Sequence, residues 1–207
     1  MASLQKKRHA ITITLYMDRT YKIRKLGVDK IALLGLFAVS LLIAHMIVVS
    51  RSAILLSEPI PLKLSGLSVS MPDGNGWKSN KQWESYENGF YLGSIFTLGT
   101  NSTAKARCVY NLSAETFDPQ ILFTQKADEV KGEIKKIEQI KTDTLIINWT
   151  HIENPKNSRI VIFGTARLPN NHRLDIEVQQ IVNDPGMAEQ VFKKIVDSLS
   201  YQENQLI

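Results

Sequence analysis

The chain has 207 residues, which is enough for one ordinary domain and a tether. Its net charge is +5, and the basic excess is concentrated in residues 1–30, so the rest of the chain is nearly neutral. This distribution gives no reason to predict a nucleic-acid groove in the main domain. The single cysteine, Cys108, excludes an intrachain disulfide and a multi-cysteine metal site, and we expect it to be a small buried residue.

An apolar run, IALLGLFAVSLLIAHMIVVS, covers residues 31–50 and contains no Asp, Glu, Lys or Arg. As a helix it would reach about 30 Å, the thickness of the hydrocarbon core of a bilayer. We interpret it as a transmembrane helix that acts as an uncleaved signal anchor, and a cleavable signal peptide is the competing interpretation. His45 within the run is a candidate intramembrane contact.

The flanks of this run predict its orientation. Eight basic residues precede it and only Arg51 closely follows it. The positive-inside rule then places residues 1–30 in the cytoplasm and the main domain in the periplasm, with the chain in the inner (cytoplasmic) membrane. Within the basic tail, residues 11–23 alternate apolar and polar side chains, which fits either a β-hairpin or a disordered tail on anionic lipid.

A short linker, residues 51–60, leads to an extracytoplasmic domain at 61–202 and a C-terminal tail at 203–207. Its first half predicts strands separated by turn-forming residues. Asn88-Gly89 between two strand-like runs indicates a β-hairpin. The predicted strands cover residues 62–71, 82–87, 90–98 and 105–113.

A helix is predicted after these strands, with Thr116 or Asp118 as its N-cap and Pro119 in its first turn. Apolar residues then recur at helical spacing, which predicts a stripe packed on a sheet. The stripe comprises Phe123, Ala127, Val130, Ile134 and Ile137.

Three more strands are predicted at 144–152, 159–167 and 172–182. A final helix begins at Asp184-Pro185, and its apolar side includes Val191 and Ile195. Segregated runs of strands and helices indicate an α+β fold with an antiparallel sheet.

Two short segments of the domain resemble a known superfamily. The first is a strand, residues 67–71, that runs into Pro72 and Trp77, and the second is the closing helix VFKKIVDSL at 191–199. They are similar to the PsbP-like superfamily, which includes the bacterial DcrB-like proteins. The resemblance covers residues 61–202 and implies an α/β/α sandwich, in which helices flank the antiparallel sheet. It also implies a role in binding partner proteins or in assembling membrane complexes.

The sequence contains no nucleophile elbow, Walker loop, zincin motif or EF-hand. His151, with Glu153 nearby, and His172 are expected to be surface residues. We therefore expect a protein that is not an enzyme and has no catalytic, metal or cofactor site.

The aromatic residues around Asn88-Gly89 are the candidate partner contacts, because aromatic side chains are enriched at protein interfaces. They are Trp83, Tyr86, Phe90 and Tyr91. The expected function is that of a single-pass accessory, scaffold or assembly subunit of a larger envelope membrane complex. Its expected partners are the lipid bilayer and other membrane or periplasmic subunits. The alternative is a membrane-tethered periplasmic domain that binds a small ligand or lipid.

Overall fold

A computed structural model describes residues 30–44, 53–98, 101–112, 117–180 and 185–201. The chain divides into two compact units, residues 1–53 and 54–207. In the first unit, residues 30–44 form helix α1.

The interpretation of residues 31–50 as a transmembrane signal anchor is wrong. Within the described parts of the chain, the structure contains no helix with the length and apolarity that a membrane crossing requires. The predicted location in the inner membrane, with a periplasmic domain, is corrected with it. His45 and the possible hairpin at 11–23 lie outside the described residues.

The second unit is built mainly from strands, with two helices and one 3₁₀ turn in its described part. Its elements are β1 (Ile60–Leu62), β2 (Leu67–Val69), β3 (Trp77–Ser79), β4 (Glu84–Tyr86), β5 (Gly89–Leu98), β6 (Asn101–Asn111), α2 (Pro119–Val130), β7 (Glu133–Lys141), β8 (Ile146–Asn154), β9 (Arg159–Arg167), the 3₁₀ turn Pro169–Asn171, β10 (Arg173–Gln180), α3 (Pro185–Asp197) and β11 (Ser200–Tyr201).

The strands form two sheets in which the neighbouring strands are antiparallel. The large sheet has the order β3-β5-β6-β10-β9-β8-β7, with β4 paired to β5, and the small sheet has the order β1-β2-β11. The predicted fold, a transmembrane helix followed by an α/β/α sandwich, is therefore wrong. Antiparallel β-structure dominates, because the chain after Val130 continues as strand β7 rather than as helix, and the two terminal segments of the unit form a second sheet.

The large sheet presents two faces, because successive side chains of a strand point in opposite directions. On the first, which we call the α3 face, Trp149 packs against Phe192 of α3, and the small sheet belongs to the same hydrophobic core. On the second, the α2 face, Phe123 of α2 packs with Ile152 and Phe163. As predicted, Val191 and Ile195 of α3 are buried, as is Phe123 of α2.

Helix α2 begins as the sequence predicts and ends earlier. The carboxylate of Asp118 accepts hydrogen bonds from the backbone N–H groups of Gln120 and Ile121, which caps the helix. Lys131 adopts the left-handed conformation with φ 53° and stops the helix after Val130. Ile134 and Ile137, predicted on the buried stripe of this helix, lie instead on strand β7, where they are 36% and 44% exposed.

The position of Ile134 on β7 makes its truncation a test of where α2 ends. Ile134 is 36% exposed, whereas Val130 is 5% exposed. We therefore expect Ile134→Ala to lower the free energy of unfolding by less than about 1 kcal/mol. Val130→Ala removes a buried side chain and should cost about 2 kcal/mol. Urea denaturation of both variants checks the order. A larger loss for Ile134→Ala would contradict its placement on an exposed strand.

Candidate functional site

Among the residues that the structure describes, only part of the α2 face of the large sheet is covered. Helix α2 packs against β7, β8 and β9, and beside it lies a groove of about 340 Å³. The floor and walls of the groove come from β4, β6, β9, β10 and α2, and they mix aromatic, aliphatic and charged side chains. The lining residues are Tyr86, Arg107, Val109, Leu122, Gln125, Lys126, Glu129, Phe163, Arg173, Asp175 and Glu177.

The four predicted contact residues do not form one cluster in the structure. Trp83 and Phe90 are half-buried and pack against the core of the α3 face, and the indole N–H of Trp83 donates to the carbonyl of Ile60 at 3.1 Å. Tyr86 lines the groove, and Tyr91 stands on the α2 face beside it, since its strand partner on β6 is the groove residue Val109. Two of the four predicted residues therefore lie at the groove, and two support the fold.

The hairpin formed by β4 and β5 positions Tyr86. The predicted hairpin is present, with Tyr86 paired to Gly89 across a turn at residues 87–88. Gly89 begins the second strand, and a Cβ added there would lie 1.9 Å from the carbonyl oxygen of Tyr110. Glycine is thus required where β5 begins to pair with β6. The hydroxyl of Tyr86 donates to the side-chain oxygen of Asn111 on β6.

Asp175 is the buried polar centre of the groove. Its carboxylate accepts hydrogen bonds from Thr165 at 2.7 Å, from Asn111 at 3.0 Å and from the guanidinium of Arg173 at 2.9 Å. Burial raises the pKa of Asp175, and the nearby Arg173, with the hydroxyl of Thr165 and the amide of Asn111, opposes the rise without cancelling it. Because Asn111 also accepts from Tyr86, this network connects the buried carboxylate to the groove wall.

A second charged network lies under helix α2. The ammonium of Lys126 lies 2.7 Å from the carboxylate of Glu177 on β10 and 2.9 Å from that of Glu129. It also lies 5.8 Å from the centroid of the Phe163 ring. Burial alone would lower the pKa of Lys126, but the hydrogen bonds to the two carboxylates outweigh burial and raise it. The side of the groove next to α2 is therefore held by internal ion pairs.

Arg107 is the groove cation that these networks do not engage. Its guanidinium carbon lies 5.2 Å from the centroid of the Tyr91 ring, a cation–π arrangement. Among the residues that the structure describes, no ion pair is recorded for Arg107, although its direct strand neighbour on β10 is Glu177. The hydroxyl of Tyr91 in turn donates to Glu84 on β4, which holds the ring on the α2 face and raises the pKa of Tyr91.

The other polar residues noted in the sequence lie elsewhere. His172 contacts the hydroxyl of Tyr110 through Nδ1 at 2.6 Å, and His151 lies 3.2 Å from Glu153. Over the described ranges, no group of three or more histidine, cysteine or acidic side chains is placed to bind a metal ion. Cys108 is buried, as expected, and burial raises the pKa of its thiol.

Sequence reasoning did not single out Arg107, Lys126 or Asp175 as site residues. The available signal was the polar half of β10, RLDIEVQQ, in which Arg173, Asp175 and Glu177 alternate with buried residues. Such alternation normally indicates a solvated face, and it does not show which helix will stand beside it.

Comparisons with known proteins found similarity to solved structures. No protein-family profile matches the chain, and no curated protein matches it. A crystal structure at 1.50 Å resolution of a protein from Bacteroides thetaiotaomicron VPI-5482 is similar, with a TM-score of 0.37 and 10% sequence identity, over 67% of this chain and 46% of that chain. The chain thus spans about half the length of that protein. The PsbP-like resemblance stays a prediction.

Proposed function

We propose that residues 54–207 form a non-enzymatic binding domain that recognises a partner protein through the groove and the adjoining tyrosine surface. The observation that carries this proposal is the grouping of Tyr86, Tyr91 and Arg107 on the part of the α2 face that helix α2 leaves open among the described residues. Tyrosine and arginine are among the residue types that contribute most to binding energy at protein interfaces. Here the three side chains stand together on one face of the large sheet.

The hydrogen bonds of the surface support a role in recognition. The hydroxyl groups of Tyr86 and Tyr91 are bonded to Asn111 and Glu84, which fixes both rings before any partner arrives. Ordered side chains lose little conformational entropy on binding, so more of the contact energy appears as affinity. Arg107 supplies an adjacent positive charge for an acidic group of the partner.

The state of Asp175 supports binding rather than turnover. A carboxylate with a raised pKa in a groove is a candidate proton-transfer group. Asp175, however, already accepts hydrogen bonds from three side chains. It is therefore suited to holding Asn111 and Arg173 in place.

The test is to purify the tagged full-length chain from the cells that produce it, identify the stoichiometric partner, and measure its dissociation constant with purified components. The double variant Tyr86→Ala/Tyr91→Ala should weaken binding by about tenfold or more. Arg107→Ala should weaken it as well, in a salt-dependent way, because an exposed charge acts through screened electrostatics.

Lys105→Ala is the matched control for Arg107→Ala. Lys105 is an exposed cation on the same strand and the same face, two residues away, and it does not line the groove. We expect the dissociation constant of the Lys105→Ala variant for the partner to stay within about twofold of the wild-type value. Equal binding by wild type and the double tyrosine variant, with both folded, would refute the proposal.

A second candidate function is binding of a small molecule in the groove. It is favoured by the volume of about 340 Å³, which falls at the lower end of the range for ligand pockets. In this case native mass spectrometry of the purified chain should show a bound small molecule and no stoichiometric protein. Leu122→Trp would fill the groove and displace the molecule, whereas Lys105→Ala would retain it.

A further inference from the structure

Strand β7 is an edge of the large sheet. It pairs with β8 on one side, and it is the last strand in the sheet order of the described residues. An edge strand presents a row of backbone N–H and C=O groups that can pair with another strand. It also exposes Ile134 and Ile137, which are 36% and 44% accessible on the α2 face. Within the described ranges, the outer side of β7 therefore combines backbone groups that have no strand partner with apolar side chains.

The sequence of β7, EIKKIEQIK, is complementary to itself when read antiparallel. A two-fold axis through Ile137 places Ile137 opposite its own copy, and it places Lys136 of each chain opposite Glu138 of the other. Lys136 and Glu138 lie on one face, opposite His151 and Trp149 of β8, and Ile137 lies on the other. Such a pairing has two cross-strand ion pairs on the α3 face and an apolar pair on the α2 face.

Other two-fold positions on this strand are less favourable. Opposite residues in an antiparallel pair share a face, so a two-fold axis between identical strands must place one residue opposite its own copy. We name each axis by that residue. An axis through Lys136 or Glu138 places like charges opposite each other, which is destabilising. An axis through Gln139 places Ile137 opposite Lys141, which pairs an apolar side chain with a charged one. An axis through Ile140 forms no ion pair, and Ile140 already packs against the core.

We propose that the chain forms a homodimer through antiparallel pairing of the two β7 strands about Ile137. Within one chain Lys136 already pairs with Glu138 of the same strand at 2.9 Å. The second copy is the favoured occupant of the edge because, at one register, each of these two charges also faces its opposite on the other chain. Lysine at an edge usually opposes pairing, but here each Lys136 faces a carboxylate. The register shift between Ile134 and Lys136 lies outside the three central pairs and ends the ladder there. This proposal is independent of the groove.

The test uses charge reversal in the full-length chain. Lys136→Glu and Glu138→Lys each place like charges opposite one another at both flanking positions, so each variant alone should lose the dimer. Mixed together, they restore both ion pairs and should form a heterodimer. Sedimentation velocity and native mass spectrometry over a wide concentration range measure the monomer and dimer masses, and circular dichroism checks that each variant is folded.

The register is tested by cross-linking. Opposite Cα atoms in an antiparallel pair are about 4.5–5.5 Å apart, which suits a disulfide. Ile137→Cys should therefore give a covalent dimer on mild oxidation, whereas Gln139→Cys on the same face should give much less. The wild-type chain serves as the control, because its own Cys108 is buried.

The outcomes separate this proposal from its competitors. A wild-type chain that is monomeric at all concentrations overturns it. This is the result expected if another segment of the same chain occupies the edge. A dimer that survives both single charge reversals, or mixed variants that stay monomeric, overturns the register and the proposal with it. A dimer lost in each single variant and recovered in the mixture, with the Ile137 cross-link, supports it.

Discussion

Replacing Phe192 with alanine should lower the free energy of unfolding of residues 54–207 by about 3–5 kcal/mol, the usual cost of removing a fully buried phenylalanine. Phe192 is 0% exposed, and its ring lies 5.6 Å from the ring of Trp149, also 0% exposed, at the centre of the α3 face. The change would leave a cavity between α3 and the strands β8 and β9. Urea denaturation followed by tryptophan fluorescence measures the loss.

The contact between Phe192 and Gly164 makes this prediction specific. A Cβ added to Gly164 would lie 2.5 Å from Phe192 and 3.1 Å from Ile147, so Gly164→Ala should cost about 1–3 kcal/mol by overpacking. In the Phe192→Ala background the obstructing ring is gone, and the same change should cost much less. The double variant should then fall short of the sum of the single losses by about 1 kcal/mol or more.

Phe192→Leu is the control for volume. Leucine fills most of the site, and we expect a loss of about 1 kcal/mol. The three tryptophans of the chain, Trp77, Trp83 and Trp149, all lie in residues 54–207, so their fluorescence follows that unit. Additive losses for Gly164→Ala and Phe192→Ala would show that the ring does not lie over the glycine.

Strands β8, β9 and β10 follow the sequence prediction closely, because the alternation in β8 and β10 and the short apolar run in β9 have no competing helical interpretation. Strand β7 was missed for a physical reason. Its register shift against β8 lies between Ile134 and Lys136, so Ile134 and Ile137, three residues apart, both pair with residues of the same face of β8. A bulge thus gives a strand the apolar spacing of a helix. The stop at Lys131-Gly132 was the missing local signal.

The groove could be predicted only in part. Sequence proximity suggested one aromatic cluster, but neighbours on a strand point to opposite faces, which separates Phe90 from Tyr91. Arg107, Asp175 and Lys126 come from β6, β10 and α2. Their meeting depends on strand order and on where α2 lies across the sheet, and neither follows from local pattern.

Replacing Asp175 with alanine should lower the free energy of unfolding by about 3–5 kcal/mol, because it leaves buried partners without their acceptor. The side chains of Asp175 and Arg173 are 11% and 21% exposed, and Thr165 is fully buried. Loss of the carboxylate should also release Asn111, and Tyr86 with it, so partner or ligand binding should weaken together with stability. Asp175→Asn keeps the shape and one acceptor oxygen, and it should cost less. Asp128→Asn, the same change at an exposed position on α2 outside the groove lining, is the matched control and should change stability little.

The pH dependence of stability in the wild-type chain and in Asp175→Asn tests whether burial dominates the pKa of Asp175. Burial raises the pKa of Asp175 above its ordinary value, so the folded state keeps this proton to higher pH than the unfolded state, in which it dissociates near pH 3.9. The contribution of this group to stability is therefore full below about pH 3.9 and is lost as the pH rises through the folded-state pKa. Relative to Asp175→Asn, the wild-type chain should become less stable over that rise. If the wild-type chain instead gained stability relative to Asp175→Asn, ion pairing with Arg173 would outweigh burial, and the predicted direction would be refuted.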